Sequence, residues 1–173
     1  MQRFDPRIVI GLGFALFAGS NFMNIYMTND YATDQLLWPN IVRAVGQALA
    51  FAPLSAVATA GIEAENAGSA SALFNMMRNL GGAIGIAALQ TLLTKREQYH
   101  SNVLMQSVSL LEEATRSRIA QLTQYFMNHG VADQAAATRR AIAAIGNVVQ
   151  KQAYILAFSD TFYLLGVALI IAL

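Results

Sequence analysis

The sequence predicts an all-α membrane protein, with four transmembrane helices and an extramembrane helical hairpin between the third and fourth. Three observations carry this reading. Of 173 residues, 55% are hydrophobic and only 12% are charged, whereas ordinary soluble domains carry about 25% charged residues. The mean hydropathy is +0.43. Four separate stretches also approach the roughly 20 apolar residues that a helix needs to cross about 30 Å of hydrocarbon.

The first stretch, 8–27, has no charged residue and sits between Asp5-Pro6-Arg7 and the polar run TNDYATDQ. It superficially resembles a secretory leader. Its apolar run is too long for that, and no small-x-small cleavage site closes it. The opening MQRFDPR reads instead as a loop entering a helix. The second stretch, 38–62, opens on Trp38-Pro39, carries Arg43 one turn in, and exits at Glu63 and Glu65. The third, 69–93, holds Arg78 and three glycines. The fourth runs over 153–173 and is still apolar at Leu173, without a basic or interfacial anchor. The expectation is a chain cut inside its last helix, with upstream helices missing as well.

Domains are accordingly expected at 1–94 (three spans), 95–152 (hairpin) and 153–173 (last span, truncated). Within 95–152, Leu104, Val108, Leu111, Thr115, Ile119, Leu122 and Phe126 recur at spacings of four and three, which is one face of a helix. His129-Gly130 should break it, and Asp133 can cap a second helix with the stripe Thr138, Ile142, Ile145 and Val149. The hairpin is either a lid or partner surface, or two surface helices folded on each other. Arg3 and Arg7 favour a cytoplasmic start, and Asp30 and Asp34 place the next connection outside. The connection 63–68 would then be inside and the hairpin outside.

Glycine in a soluble helix costs about 1 kcal/mol relative to alanine. Among lipid tails, helices associate by close backbone packing, which calls for small residues. Gly81, Gly82 and Gly85 on the third span, with Ala88 beyond, form such a face, and Gly11, Ala15 and Gly19 repeat it on the first. These positions either pack helices or form a sliding surface. Charges within spans are expensive, at about 2.5–3.5 kcal/mol at the helix centre. Arg43, Arg78 and Asp160 should therefore face a protein interior, a watery cavity or the interface. Arg43 and Arg78 can also snorkel to the headgroups. Asp160 is too short to snorkel as far; it carries a proton or caps a polar contact. Asn21, Asn24, Asn75 and Gln90 are weaker polar candidates.

Several function classes are excluded or unsupported. A net charge of +1 gives no polyanion-binding balance, hence no argument for nucleic acid. There is no cysteine for a disulfide, thiolate site or nucleophile. No HExxH, P-loop or GxSxG occurs, and His100 and His129 have no metal spacing. No catalytic residue, metal site or cofactor is expected.

Three stretches carry a family resemblance. WPNIVRAVGQALAFAPLSAVA contains R-x-x-G-Q-x-x-x-F-x-P-L from Arg43 to Leu54. The next, AENAGSASALFNMMRNLGGAIGIAALQTLLTKREQYH, contains G-S-A-S…N-x-x-R-N-x-G-G-x-x-G from Gly68 to Gly85. QKQAYILAFSDTF closes the set at 150–162. In order and spacing they resemble the C-terminal part of drug:proton antiporters of the EmrB/QacA type, the fourteen-helix branch of the major facilitator superfamily. The resemblance covers nearly the whole chain. It implies helices eleven to fourteen of a bacterial inner-membrane, multi-pass exporter of apolar, often cationic compounds, driven by the proton gradient. It implies as partners the lipid bilayer, the missing N-terminal helices and a periplasmic adaptor protein. Arg43, Gln47, Asn75 and Arg78 would lie nearer the transport path, and Asp160 would be a packing or gating residue. The family's best-known acidic coupling residues lie in helices outside this chain. The competing reading is a small membrane-embedded scaffold or assembly protein whose hairpin binds a partner.

Overall fold

The computed structural model describes residues 5–28, 33–63, 65–109 and 112–173, with Thr33 and Thr59 described by their backbone alone. Arg3 and Asp30, expected to mark topology, and Leu111, expected in the amphipathic stripe, lie outside the described residues. Five helices follow in order: α1 (Pro6–Phe22), α2 (Thr33–Thr59), α3 (Ala67–Ser107), α4 (Glu113–Asn128) and α5 (Gln134–Ile171). No strand occurs among the described residues.

Two helices, at Asp34–Ala58 and Gln134–Ile171, are long and apolar enough to cross a membrane, while α1 is apolar but has only 17 residues. Two helices among the described residues thus pass by length and composition, and the expected count of four is not confirmed. The shortfall in α3 has a plain cause: Asn75, Arg78, Asn79 and Gln90 interrupt its apolar residues. In both long helices only 11% of the most apolar window is buried. A soluble core helix would be largely enclosed; these leave Trp38, Val45, Val148 and Ile171 open.

The chain forms two compact units, residues 1–92 with 158–173, and residues 93–157. In the first unit, α1 starts at Asp5, whose carboxylate accepts the Arg7 N–H at 3.0 Å, with Pro6 at the first helical position. Proline suits that position because its missing N–H would be unpaired there anyway. α1 then crosses α2 at two glycines. A Cβ on Gly13 would lie 2.6 Å from the Ala50 backbone nitrogen and 2.8 Å from the Gly46 carbonyl oxygen. A Cβ on Gly46 would meet Phe17 N at 2.7 Å and Gly13 O at 2.8 Å. Only the absence of both side chains lets the backbones come so close. α1 also packs antiparallel on the end of α5. Phe22 meets Tyr163 edge-on at 6.1 Å and fills the space over Gly166, and Gly11 faces Leu173.

α2 carries Pro39 and Pro53 within its length; each removes one helical hydrogen bond. Gly61 turns the chain towards α3 at a φ of +83°, a conformation that suits glycine. α3 has no buried residue among those described. It continues to Ser107, past the change to polar sequence at Lys95, because neither proline nor glycine interrupts it after Gly85.

In the second unit the stripe expected to run as one helix from Leu104 to Phe126 is divided. Leu104 belongs to α3, Val108 follows its end, and Thr115, Ile119, Leu122 and Phe126 lie on α4. The turn after α4 falls at His129 and Gly130 (φ +99°). Asp133 caps α5, accepting from Ala135 N at 3.1 Å and Ala136 N at 3.0 Å. Thr123 and Thr138 approach to 3.5 Å between α4 and α5. Along α5, Ala137, Ala141, Ala153 and Ala157 are fully buried.

Candidate functional site

Polar side chains within an apolar helix must find partners, because burying one without a hydrogen bond costs several kcal/mol in hydrocarbon. Here most turn back on their own helix. Ser20 and Asn21 both donate to the Phe17 carbonyl (2.7 and 2.8 Å), and Asn24 donates to Ser20 O at 3.2 Å. Asn75 donates to Ser71 O at 3.0 Å, and Thr91 to Ala87 O at 2.9 Å. Asn24 is 8% exposed, and its Oδ1 has no partner among the described residues.

Arginine cannot be satisfied in this way, since it has donors only and a fixed charge. The guanidinium of Arg78 lies over the Phe51 ring, 5.5 Å from its centroid. The two sit in a cleft of about 310 Å³ between α2 and α3, lined by Phe51, Ser55, Ala56, Ser71, Phe74, Asn75 and Arg78. A helix rises about 1.5 Å per residue, so Phe51 lies roughly 12 Å from the end of α2 and Arg78 roughly 16 Å from the start of α3. Helical side chains lean towards the N-terminus of their helix. Arg78 reaches across to α2 to meet the ring. The contact supplies about 0.5–2 kcal/mol.

Of the residues expected in a pathway, the structure brings Arg78 and Asn75 together in this cleft. Arg43 and Gln47 are not in its lining. They occupy the two preceding turns of the α2 row Arg43, Gln47, Phe51 and Ser55, and both are exposed. Asp160 lies on α5, half-buried and engaged, and is not among the lining residues. Gly11 lies 3.9 Å from Leu173 through its missing Cβ, while Gly81, Gly82 and Gly85 face open space. The tight crossing falls instead on Gly13 and Gly46. Sequence reasoning missed these two and the Phe51 partner of Arg78. The only available signals were the small residues at Gly13 and Gly46 and an aromatic one four residues after Gln47, and neither says which helix lies opposite. Among the described residues no three of His, Asp or Glu cluster in a metal-holding arrangement.

Comparison with known proteins yields full-length similarity. The chain is 25% identical over 171 residues, 99% of its length, to the colistin resistance protein EmrB of Acinetobacter baumannii. It is 24% identical over 172 residues, again 99%, to the fatty acid resistance protein FarB of Neisseria gonorrhoeae. It is 27% identical over 124 residues, 70% of the chain, to the multidrug export protein EmrB of Escherichia coli K12. The chain spans 33%, 32% and 24% of these three relatives. No family model matches it, and no solved structure does. The chain thus resembles EmrB-type efflux proteins along nearly all of its length. These relatives are membrane transporters, and together with the exposed apolar helices they support a membrane location.

Proposed function

We propose that this chain is the C-terminal part, helices eleven to fourteen, of a proton-coupled multidrug exporter of the major facilitator superfamily. In this reading it is a multi-pass component of a bacterial cytoplasmic membrane, and the intact transporter exports apolar compounds, cationic ones among them. One observation carries the proposal: 99% of the chain aligns with proteins named for drug or fatty acid resistance while spanning about a third of their length. A span count of four, including the membrane part of α3 with its two asparagines and arginine, belongs to the same reading, because a cavity-facing helix tolerates such residues. Arg43, Gln47, Asn75 and Arg78 would border the path, with Asp160 as a gating or packing residue. Residues 95–152 would lie outside, where a periplasmic adaptor would meet them.

Alternating access needs two bundles rocking about a midplane site, and four helices supply part of one. The chain alone, in vesicles with an imposed proton gradient, is therefore expected to show no substrate efflux. Joined to the remaining helices of its parent it is expected to export. There, Arg43→Ala should lower efflux about tenfold, the scale of a lost 1.4 kcal/mol, while the protein stays inserted. Efflux by the chain alone would refute the partial-transporter reading, and unchanged efflux in the Arg43→Ala parent would remove Arg43 from the path.

A further inference from the structure

We propose that Tyr26, Trp38 and Tyr163 form one belt that seats the first unit in the headgroup layer of a phospholipid bilayer, with Asp160 at this level rather than among the lipid tails. The proposal rests on the membrane location given above and not on transport. It starts from where the amphipathic aromatics fall. Among the described residues of 1–92 and 158–173, these three are the only Trp and Tyr. The remaining aromatics of the unit are phenylalanines, which carry no polar atom. All three belt residues are open to the surroundings, Tyr26 at 85%, Trp38 at 66% and Tyr163 at 52% exposure.

Helix packing puts the three at one height. Gly46 meets the Phe17 nitrogen and Gly13 meets Ala50, so α1 and α2 run antiparallel. Turn bonds from Asn24 N–H to Asn21 O (3.0 Å) and from Ile25 N–H to Phe22 O (3.3 Å) continue the spiral past the end of α1. At about 1.5 Å per residue, Trp38 stands about 12 Å beyond the Phe17–Gly46 meeting point, and Tyr26 about 13 Å beyond it. Phe22 meets Tyr163 and covers Gly166, and Leu173 lies beside Gly11, so α5 also runs antiparallel to α1. Tyr26 comes one turn after Phe22 and Asp160 about one turn before Tyr163, which sets Asp160 level with Tyr26. Helical side chains lean towards the helix N-terminus; for Trp38 and Tyr163 that is towards this level. The far edge of the band follows, since Arg7 on α1 and Ala58 on α2 each lie about 30 Å from the belt, the thickness of a hydrocarbon core. No charged residue falls in 8–27 or 161–173, and Arg43 is the only one in 38–62. Tyrosine and tryptophan gather at such an edge because the ring suits the tails while the O–H or N–H suits the wet headgroups. A carboxylate at this height also avoids the cost it would carry at a helix centre.

The test uses the full 173-residue chain in phosphatidylcholine nanodiscs, where Trp38 is the only tryptophan and reports its own depth by fluorescence. A nitroxide on the lipid headgroup is expected to quench it about twofold more than a nitroxide near the end of the acyl chain. Moving the tryptophan to the middle of the band (Trp38→Phe with Phe14→Trp) should reverse that ratio. Moving it along the belt (Trp38→Phe with Tyr163→Trp) should keep it. The chain has no cysteine, so Asp160→Cys and Ile170→Cys are each labelled singly with a water-soluble maleimide. The first should react about tenfold faster, because the second position lies among the tails. Quenching of Trp38 by the chain-end nitroxide as strong as by the headgroup one, or stronger, overturns the belt. Equal labelling of the two variants overturns the placement of Asp160. Quenching by neither nitroxide while the chain stays in the disc means that a second copy or another helix covers Trp38, and also overturns the belt. A chain that never enters the disc refutes the membrane location itself, which separates that failure from a misplaced belt. Circular dichroism checks the fold of each variant, and the unsubstituted chain decides the quenching result by itself if a variant unfolds.

Discussion

The α1–α2 crossing and the first half of α3 share a composition of apolar residues punctuated by glycine, yet the structure treats them in opposite ways. At Gly13 and Gly46 two backbones come so close that neither glycine has room for a Cβ. At Gly81, Gly82 and Gly85 a Cβ would meet nothing within 4 Å, and no described residue of α3 is buried. The difference teaches that small residues mark a helix as able to be approached closely, while the presence of an approaching helix decides whether that ability is used. The Gly13–Gly46 set has its partner within these residues. The other presents a smooth, uncovered face.

That contrast can be broken most forcefully at the crossing. Gly13→Val would push a branched side chain into the α2 backbone, which cannot shift as a flexible side chain can. Overpacking a tight interior costs about 1–3 kcal/mol, and a backbone obstacle places this variant at the upper end. Thermal unfolding in detergent should show the loss, along with weaker α1–α2 cross-linking; a midpoint like that of the parent would mean the crossing is not tight. A middle-sized effect is expected at Asp133, whose carboxylate holds two N–H groups at the start of α5. Asp133→Ala should cost about 1 kcal/mol, read as faster hydrogen exchange at Ala135 and Ala136. Arg139, 3.9 Å from Asp133 with both side chains exposed, adds little, because such surface pairs are worth about 0–1 kcal/mol. The smallest effect is expected at Gly81→Ala in the chain by itself. Its stability should stay level or rise by up to about 1 kcal/mol, since alanine is the better helix former. A clear loss there would show that the α3 face is already occupied. The same substitution in the intact parent sharpens the comparison: a loss appearing only there would identify a helix from elsewhere seated on Gly81.

Much of this was legible in the sequence. Helical periodicity and hydropathy placed α1, α2 and the end of α5, and the His129-Gly130 break and the Asp133 cap followed from local chemistry that needs no tertiary context. The sequence did not show that α3 runs unbroken from apolar into polar residues. A change of environment leaves helical hydrogen bonds untouched, so Lys95 is no stop signal without a proline or glycine. Arg78 was visible as a costly charge, but its contact with Phe51 depends on how α2 and α3 lie against each other, which a single chain of letters does not encode. For the same reason Gly11 stood out in the sequence and Gly13 did not, although Gly13 is the one that meets the α2 backbone.

The side chains of Ser20, Asn21, Asn24, Asn75 and Thr91 spend donors on carbonyls one turn behind them. Each such bond travels with its own rod. When α1 or α3 shifts lengthwise or rolls, these pairs need not be broken and remade, so they add no ratchet of polar teeth to the motion. Resistance to movement along these helices then falls to shape, at places such as the pinch of Gly13 against Gly46.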